Sequence, residues 1–253
     1  MRSTERDTAP SVLERACSVM EALDANHPYL SVSELARRSG LPKSTTHRLV
    51  GELCRLGLLE STRDGIRLGF RLFELGELVP RHRGLRDAAL PFMEDLMEAT
   101  HQRVHLAVLE GVEVVYVQIL GSRSGMAMPS RIGGRLPAHA TGVGKAILAF
   151  SPPSVVSARM EAGLPRLSPR TIVMPGALTR ELATIREQGV AYDREESSTG
   201  IACAAAPVFG MHGVVVAGLS VSGRTGQIDV EKIAPAVRTA ALALSRRLRT
   251  QPF

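Results

Sequence analysis

No apolar run in this chain approaches the ~20 residues that cross a bilayer, and the opening "MRSTERDTAP" lacks the apolar core of a secretory signal. A membrane span and export are not expected, and a cytoplasmic location is. Cysteine is scarce: Cys17, Cys54 and Cys203 lie far apart, odd in number and without C-x-x-C spacing. That pattern argues against a disulfide framework and a zinc knuckle. His105, His139 and His212 have no ligand spacing either, so neither metal nor cofactor is expected.

What is present reads as a folded protein of about two domains. The chain has 253 residues, 44% hydrophobic and 22% charged, with 31 Lys+Arg against 25 Asp+Glu and a net charge of +6. The positive excess is concentrated. Between Ser31 and Arg71, eight basic residues (Arg37, Arg38, Lys43, Arg48, Arg55, Arg63, Arg67, Arg71) face four acidic ones (Glu34, Glu52, Glu60, Asp64). A basic cluster permits nucleic acid as a partner without requiring it.

Local patterning organises that cluster. Val12, Leu13, Ala16, Val19, Met20 and Leu23 form one helical stripe, a first core helix. Ser31 and Glu34 have the spacing of a capping box, which starts a second helix running to about Ser39. Gly40 suits a tight turn, and Pro42 suits the start of a third helix, to about Leu56. On that helix Thr46, Leu49, Val50 and Leu53 face inward, leaving Lys43, Ser44, Thr45, His47, Arg48 and Arg55 outside. Asp64-Gly65 then punctuates a short basic hairpin carrying Arg63 and Arg67.

Two short helices, a glycine turn and a wing make a winged helix-turn-helix, whose second helix presents its N-terminal residues to base edges in the major groove. Ser44, Thr45, His47 and Arg48 are the candidate readers; Lys43, Arg63 and Arg67 are candidate DNA contacts beside them. The competing reading, a set of solvated helix faces, fits any one signal but not their order along the chain.

Downstream, the apolar spacing of residues 70–100 predicts two helices with a break at Pro80–Gly84. The second helix would pack on a sheet through Leu90, Met93, Leu96 and Met97. Strands are expected near 103–109, 112–120, 190–194, 201–208 and 213–222. Helices are expected near 141–150, 152–162, 177–188 and 229–249. This is an α/β (α+β) pattern, one mixed sheet flanked by helices. The expected organisation is a tail over 1–10, a DNA-binding domain over 11–69, a linker helix and hinge over 70–84, and a sheet-and-helix domain over 85–253, to which the family resemblance carried by the motifs below gives the role of effector binding.

"HATGVGKAILAF", residues 139–150, looks like half of a phosphate loop but fails as one. His139 stands where the first Walker glycine belongs, and Ala146 follows Lys145 where a hydroxyl is needed for Mg²⁺. Ile147 stands at the third glycine position of the dinucleotide pattern. What remains is a helix start whose Gly142 and Val143 N–H groups can receive a small anion such as a carboxylate, with no Cβ on Gly142 to block its approach. Lys145 is expected at the helix surface. Ser220 and Ser222, two apart on a strand, can face one cavity beside the gap at Gly218. A catalytic arrangement of His139 as base, Cys203 as nucleophile and Asp193 as orienter is the rival, but no nucleophile motif surrounds Cys203. The chain is therefore not expected to be an enzyme.

"ERACSVMEAL", "SVSELARRSGLPKSTTHRLVGELCRLGLLE", "RLGFRLFELG", "RLPAHATGVGKAILA" and "YDREESSTGIACAAAPV" together resemble the IclR family of bacterial transcriptional regulators, over almost the whole chain. The resemblance implies a winged helix, a linker helix and a GAF-like effector domain. It also implies a homodimer or dimer of dimers on a palindromic promoter operator, and a small organic effector. The expected effector is a carboxylate, with repression the favoured sense of regulation. By the same resemblance Gly142, Val143, Asp193, Cys203, Ser220 and Ser222 line the effector pocket. One departure is Ile66, where the family usually has an aromatic residue in the wing.

Overall fold

The computed structural model describes residues 10–121 and 128–250. Most of the expected N-terminal tail, residues 1–9, lies outside them. The chain divides into two compact units, Met1–Pro80 and Arg81–Phe253.

The first unit is helical with a small hairpin. Helix α1 (Val12–Glu21) opens with a complete capping box, in which the Ser11 hydroxyl accepts from the Glu14 N–H and the Glu14 carboxylate accepts from the Ser11 N–H. Val12 and Leu13 project to solvent, so the buried stripe of α1 begins only at Ala16. Helix α2 (Val32–Ser39) has half of its expected box: Ser31 accepts from the Glu34 N–H, but the Glu34 carboxylate turns to Arg37 at 2.6 Å. Gly40 ends α2 in the left-handed region at φ 70°, and Pro42 caps α3 (Lys43–Arg55). Strands β1 (Leu59–Thr62) and β2 (Gly65–Leu68) form the wing, turning at Arg63-Asp64. Leu30 bonds the outer edge of β2 through both backbone groups of Ile66. The Ile66 side chain is buried with Leu30, Leu35, Leu49 and Leu53, so the residue that departs from the family pattern serves the core. Helix α4 (Arg71–Glu77) follows.

Helix α5 (Pro80–Thr100) runs from the end of the first unit into the second, so residues 80–84, expected as a hinge, are already helical and the break falls at Leu78–Val79. Proline suits a first helical position because its missing N–H has no partner to lose there. The strands are β3 (Arg103–Glu110), β4 (Glu113–Leu120), β5 (Arg135–Pro137), β6 (Ala191–Arg194), β7 (Ile201–Phe209) and β8 (Val215–Arg224). They form one sheet in the order β5-β4-β3-β8-β7-β6, and every pairing among them is antiparallel. The expected mixed sheet is corrected: apolar alternation gives strands but not their direction.

Helices α6 (Gly142–Ala149), α7 (Pro153–Glu161), α8 (Pro175–Gln188) and α9 (Val230–Thr250) complete the unit. Alternation along β7 shows the layering. Ala202, Ala204, Ala206 and Val208 pack with α9 and with Leu85, Ala89, Met93 and Leu96 of α5, while Cys203 and Ala205 pack with α6 and α8. Leu90, expected on the packing face of α5, points outward, and Leu85 and Ala89 fill its place. Among the described residues no helix is long and apolar enough to cross a membrane.

Candidate functional site

In the first unit, Thr46, Leu49, Val50 and Leu53 bury one face of α3. The opposite face is fixed by that burial: Lys43, Ser44, His47 and Arg48 are exposed and Thr45 is half-buried. Arg48 makes an exposed pair with Glu52 one turn on, at 3.2 Å. On the wing, Arg63 is exposed at the turn, whereas Arg67 is already engaged across the hairpin. Its Nε and Nη2 donate to one Glu60 oxygen at 2.9 and 2.6 Å, and the other Glu60 oxygen accepts the Phe70 N–H at 3.0 Å. The two wing arginines therefore differ: among the described residues Arg63 has no ion-pair partner, whereas the charge of Arg67 is largely compensated by Glu60.

In the second unit, all six residues expected at the effector site line one cavity. Cross-strand register explains the convergence. Asp193 pairs Cys203, Cys203 pairs Ser222, and Ser220 pairs His105, so their side chains share the sheet face that looks at α6. The Thr141 hydroxyl caps Gly144 N–H at 3.1 Å, and the N–H groups of Gly142 and Val143 have no acceptor among the described residues. Two donors at the positive end of a helix thus belong to residues that line the cavity.

Two expectations about glycine change. A Cβ on Gly142 would lie 2.6 Å from Cys203 Sγ, so the missing side chain makes room for β7 rather than for a ligand. The gap at Gly218 is likewise filled, by the Val143 carbonyl.

The titratable groups here carry little free charge. Cys203 is buried and its thiol is pushed up to about 12, chiefly by desolvation, so it is no thiolate nucleophile. His139, its supposed base, is absent from the cavity lining and bonds the Pro165 carbonyl instead. Asp193 is raised by burial, against hydrogen bonds that hold it lower. Its Oδ1 accepts from the Glu196 and Ser197 N–H groups and its Oδ2 from the Ser197 hydroxyl at 2.5 Å.

Sequence reasoning missed three features. His105 lines the cavity between Ser130 and Ser222, its ring against the edge of Tyr116. Tyr116 lines it as well. Lys145, expected at the surface, is wholly buried, its Nζ 2.8 Å from Glu181 and 2.6 Å from Glu196. A signal for this last was available: "GVGKAILA" is small or apolar around every side of the helix, and a helix without a polar face is a buried one.

These geometries agree with what the chain is similar to. Residues 12–63 match the IclR helix-turn-helix domain, and residues 79–246 match the bacterial transcriptional regulator IclR C-terminal domain. The regulator XynR of Escherichia coli is 34% identical over 93% of this chain and 96% of its own length; the repressor IclR of the same organism is 31% identical over 89% and 86%. An IclR homolog from Microbacterium hydrocarbonoxydans, solved in complex with 4-hydroxybenzoate, superposes with a TM-score of 0.86 at 34% identity, covering 95% of this chain and all of that one. The IclR of Thermotoga maritima gives 0.76 at 32%, over 93% and 98%. A winged helix-turn-helix followed by a sheet-and-helix unit with a polar-lined cavity, matched over nearly its whole length, makes this chain a member of the IclR family of DNA-binding transcriptional regulators.

Proposed function

We propose that this regulator binds a palindromic promoter operator as a homodimer or dimer of dimers, and that a small carboxylate in the second unit's cavity changes its operator affinity. The observation that carries the DNA reading is the division of α3: its apolar residues are spent on the core, leaving Lys43, Ser44, Thr45, His47 and Arg48 toward solvent at its N-terminal end. Arg63 serves as the phosphate contact of the wing, with Arg67 secondary because Glu60 holds it. Residues 70–84 connect the two activities, and repression is the favoured sense, as in the relatives named repressors.

For the effector, the unpaired N–H groups of Gly142 and Val143 take the carboxylate, and the Ser220 and Ser222 hydroxyls donate from β8. Asp193 accepts from an effector hydroxyl, and Cys203 forms the wall. The relative crystallised with 4-hydroxybenzoate supports an acid of this kind. The effector acts only through a difference in its affinity for two arrangements of the protein. The relatives are regulators, and the neutral thiol of Cys203 gives no reason to assign turnover.

Footprinting on DNA fragments enriched by the pure protein, with and without candidate acids, tests the whole reading; protection of unrelated sequences alike would reject it. Arg48→Ala tests the helix, with an expected loss of about 1–3 kcal/mol and relaxed preference at one operator position. Uniform weakening across sequences would reduce Arg48 to a phosphate contact.

A further inference from the structure

We propose that a second, apolar cavity, at the C-terminal end of α6, binds a hydrophobic cation of the arylalkylamine kind, with Glu110 taking the charge. It shares no lining residue with the cavity at the start of α6.

The cavity lies at a fork in the sheet. Strands β3 and β8 pair from Arg103↔Ser222 to Ala107↔Gly218 and no further, although β3 runs on to Glu110 and β8 begins at Val215. Beyond Ala107 each strand keeps only its other neighbour: Val108, Leu109 and Glu110 pair with β4, while Val215 and Ala217 pair with β7. Where the two strands part, Leu85 of α5, Leu248 of α9, Val155 of α7 and Phe150 after α6 line the space, the Phe150 ring edge-on to Phe209 at 5.2 Å. The result is an open cavity of about 560 Å³. Sites for small organic molecules span roughly 300–1,000 Å³ and are walled mostly by apolar side chains with a few polar ones. Here every lining residue is apolar except Glu110, Ser151 and Gly210.

The polar groups decide which molecule fits. The Ser151 hydroxyl is already used, donating to the Ile147 carbonyl at 2.9 Å. Glu110 is the one charged residue in the lining. Directly across the hairpin it faces Glu113, a like-charge pair that is unfavourable in a sheet. Arg135 sides with Glu113, at 3.7 Å, and among the described residues Glu110 has no ion-pair partner. Arg247 and Arg249 flank Leu248 on α9, but both are exposed and neither lines the cavity. An uncharged ligand would cover the Glu110 carboxylate without replacing the water it loses, and an anion would add to the repulsion. A cation carried on an apolar body satisfies the carboxylate and the walls together.

The chain has no tryptophan, so an indole ligand reports its own binding by fluorescence. Tryptamine and tryptophol carry the same ring and two-carbon arm, ending in an ammonium and a hydroxyl. The full-length protein is expected to bind tryptamine about three- to tenfold tighter than tryptophol, a preference that shrinks as salt is added. Glu110→Gln should bring the ratio to near unity. Met211→Arg places a cation on the exposed rim of the cavity and should weaken tryptamine at least about tenfold. Both changes fall at exposed positions, and a cooperative thermal transition certifies each variant as folded. Equal binding of the two compounds by the wild type, an unchanged ratio in Glu110→Gln, or full tryptamine affinity in Met211→Arg would each overturn the proposal. So would binding of neither compound; if Met211→Arg then also lowers the oligomer mass in sedimentation, a second copy of the chain covers this cavity. None of these outcomes touches the carboxylate reading of Gly142 and Val143.

Discussion

A β-carbon on Gly142 would stand 2.6 Å from the sulfur of Cys203 and 3.3 Å from the Ala205 side chain, so the first turn of α6 and the middle of β7 are in direct contact. Gly142→Ala should therefore push the helix from the strand, costing about 1–3 kcal/mol as overpacked cores do, and should weaken effector binding by moving the two free N–H groups. Cys203→Ala removes the obstructing atom. The double variant Gly142→Ala/Cys203→Ala is expected to recover stability and effector affinity relative to Gly142→Ala alone, measured by thermal unfolding and calorimetry. Simple additivity of the two losses would show that this contact is not the cause.

How far the sequence discloses the structure depends on the range of the interaction. The inward residues of α3, Thr46, Leu49, Val50 and Leu53, follow from 3.6-residue periodicity alone, because a single helix decides them. Glu34 shows the limit even locally: its spacing from Ser31 allows the reciprocal cap, yet Arg37 competes for the same carboxylate. The resemblance brings Gly142, Val143, Asp193, Cys203, Ser220 and Ser222 to one site, and all six meet. His105 joins them only through the register of β3 on β8, which no single strand encodes. The partners of Lys145 come 36 and 51 residues later, so the all-apolar surroundings on α6 signal its burial but not which carboxylates compensate it.

Lys145→Met should be among the most damaging single changes in the second unit. Removing one partner from a buried ion pair strands the other, at a cost of about 3–5 kcal/mol, and Glu196 is left in an environment that already raises its pKa by desolvation. The sign of the pH effect follows. Lys145 now lowers the Glu196 pKa, and without it the folded state holds the carboxyl proton still more tightly than the unfolded state does. Stability is then fullest below the ordinary carboxylate range and is lost as pH rises through the folded value. Denaturant titrations at acid and neutral pH should show Lys145→Met losing more at neutral pH, with Lys145→Met/Glu196→Gln restored in part; a pH-independent loss would mean that only packing was removed.

Glu60 restrains the wing. It holds Arg67 at 2.6 Å and caps the Phe70 N–H, so Glu60→Gln should release the guanidinium while an amide oxygen still accepts from Phe70. Because a freed arginine adds one phosphate contact, binding to unrelated DNA should strengthen and the slope of log affinity against log salt should steepen by about 1. Titrating labelled duplexes across a salt series measures it. An unchanged slope would place Arg67 away from the DNA backbone.

With the proposed carboxylate effector in its cavity, Asp193 is expected to make effector affinity a function of pH. Burial raises its carboxyl above the ordinary value, while Ser197, the Glu196 N–H and Lys145 oppose that rise. An anion entering the same cavity disfavours the ionised form further, so binding must take up protons: affinity is greatest below the free protein's Asp193 pKa and falls as pH rises from there toward the bound value. Asp193→Asn keeps an oxygen for the Glu196 and Ser197 N–H groups and cannot ionise, so it should flatten the pH profile and bind the acid more tightly above that range. Calorimetry in buffers of different ionisation enthalpy counts the protons directly. Zero uptake by the wild type at every pH, or affinity that climbs with pH in wild type but not in Asp193→Asn, would mean that the effector enters uncharged or lies beyond the reach of this carboxylate.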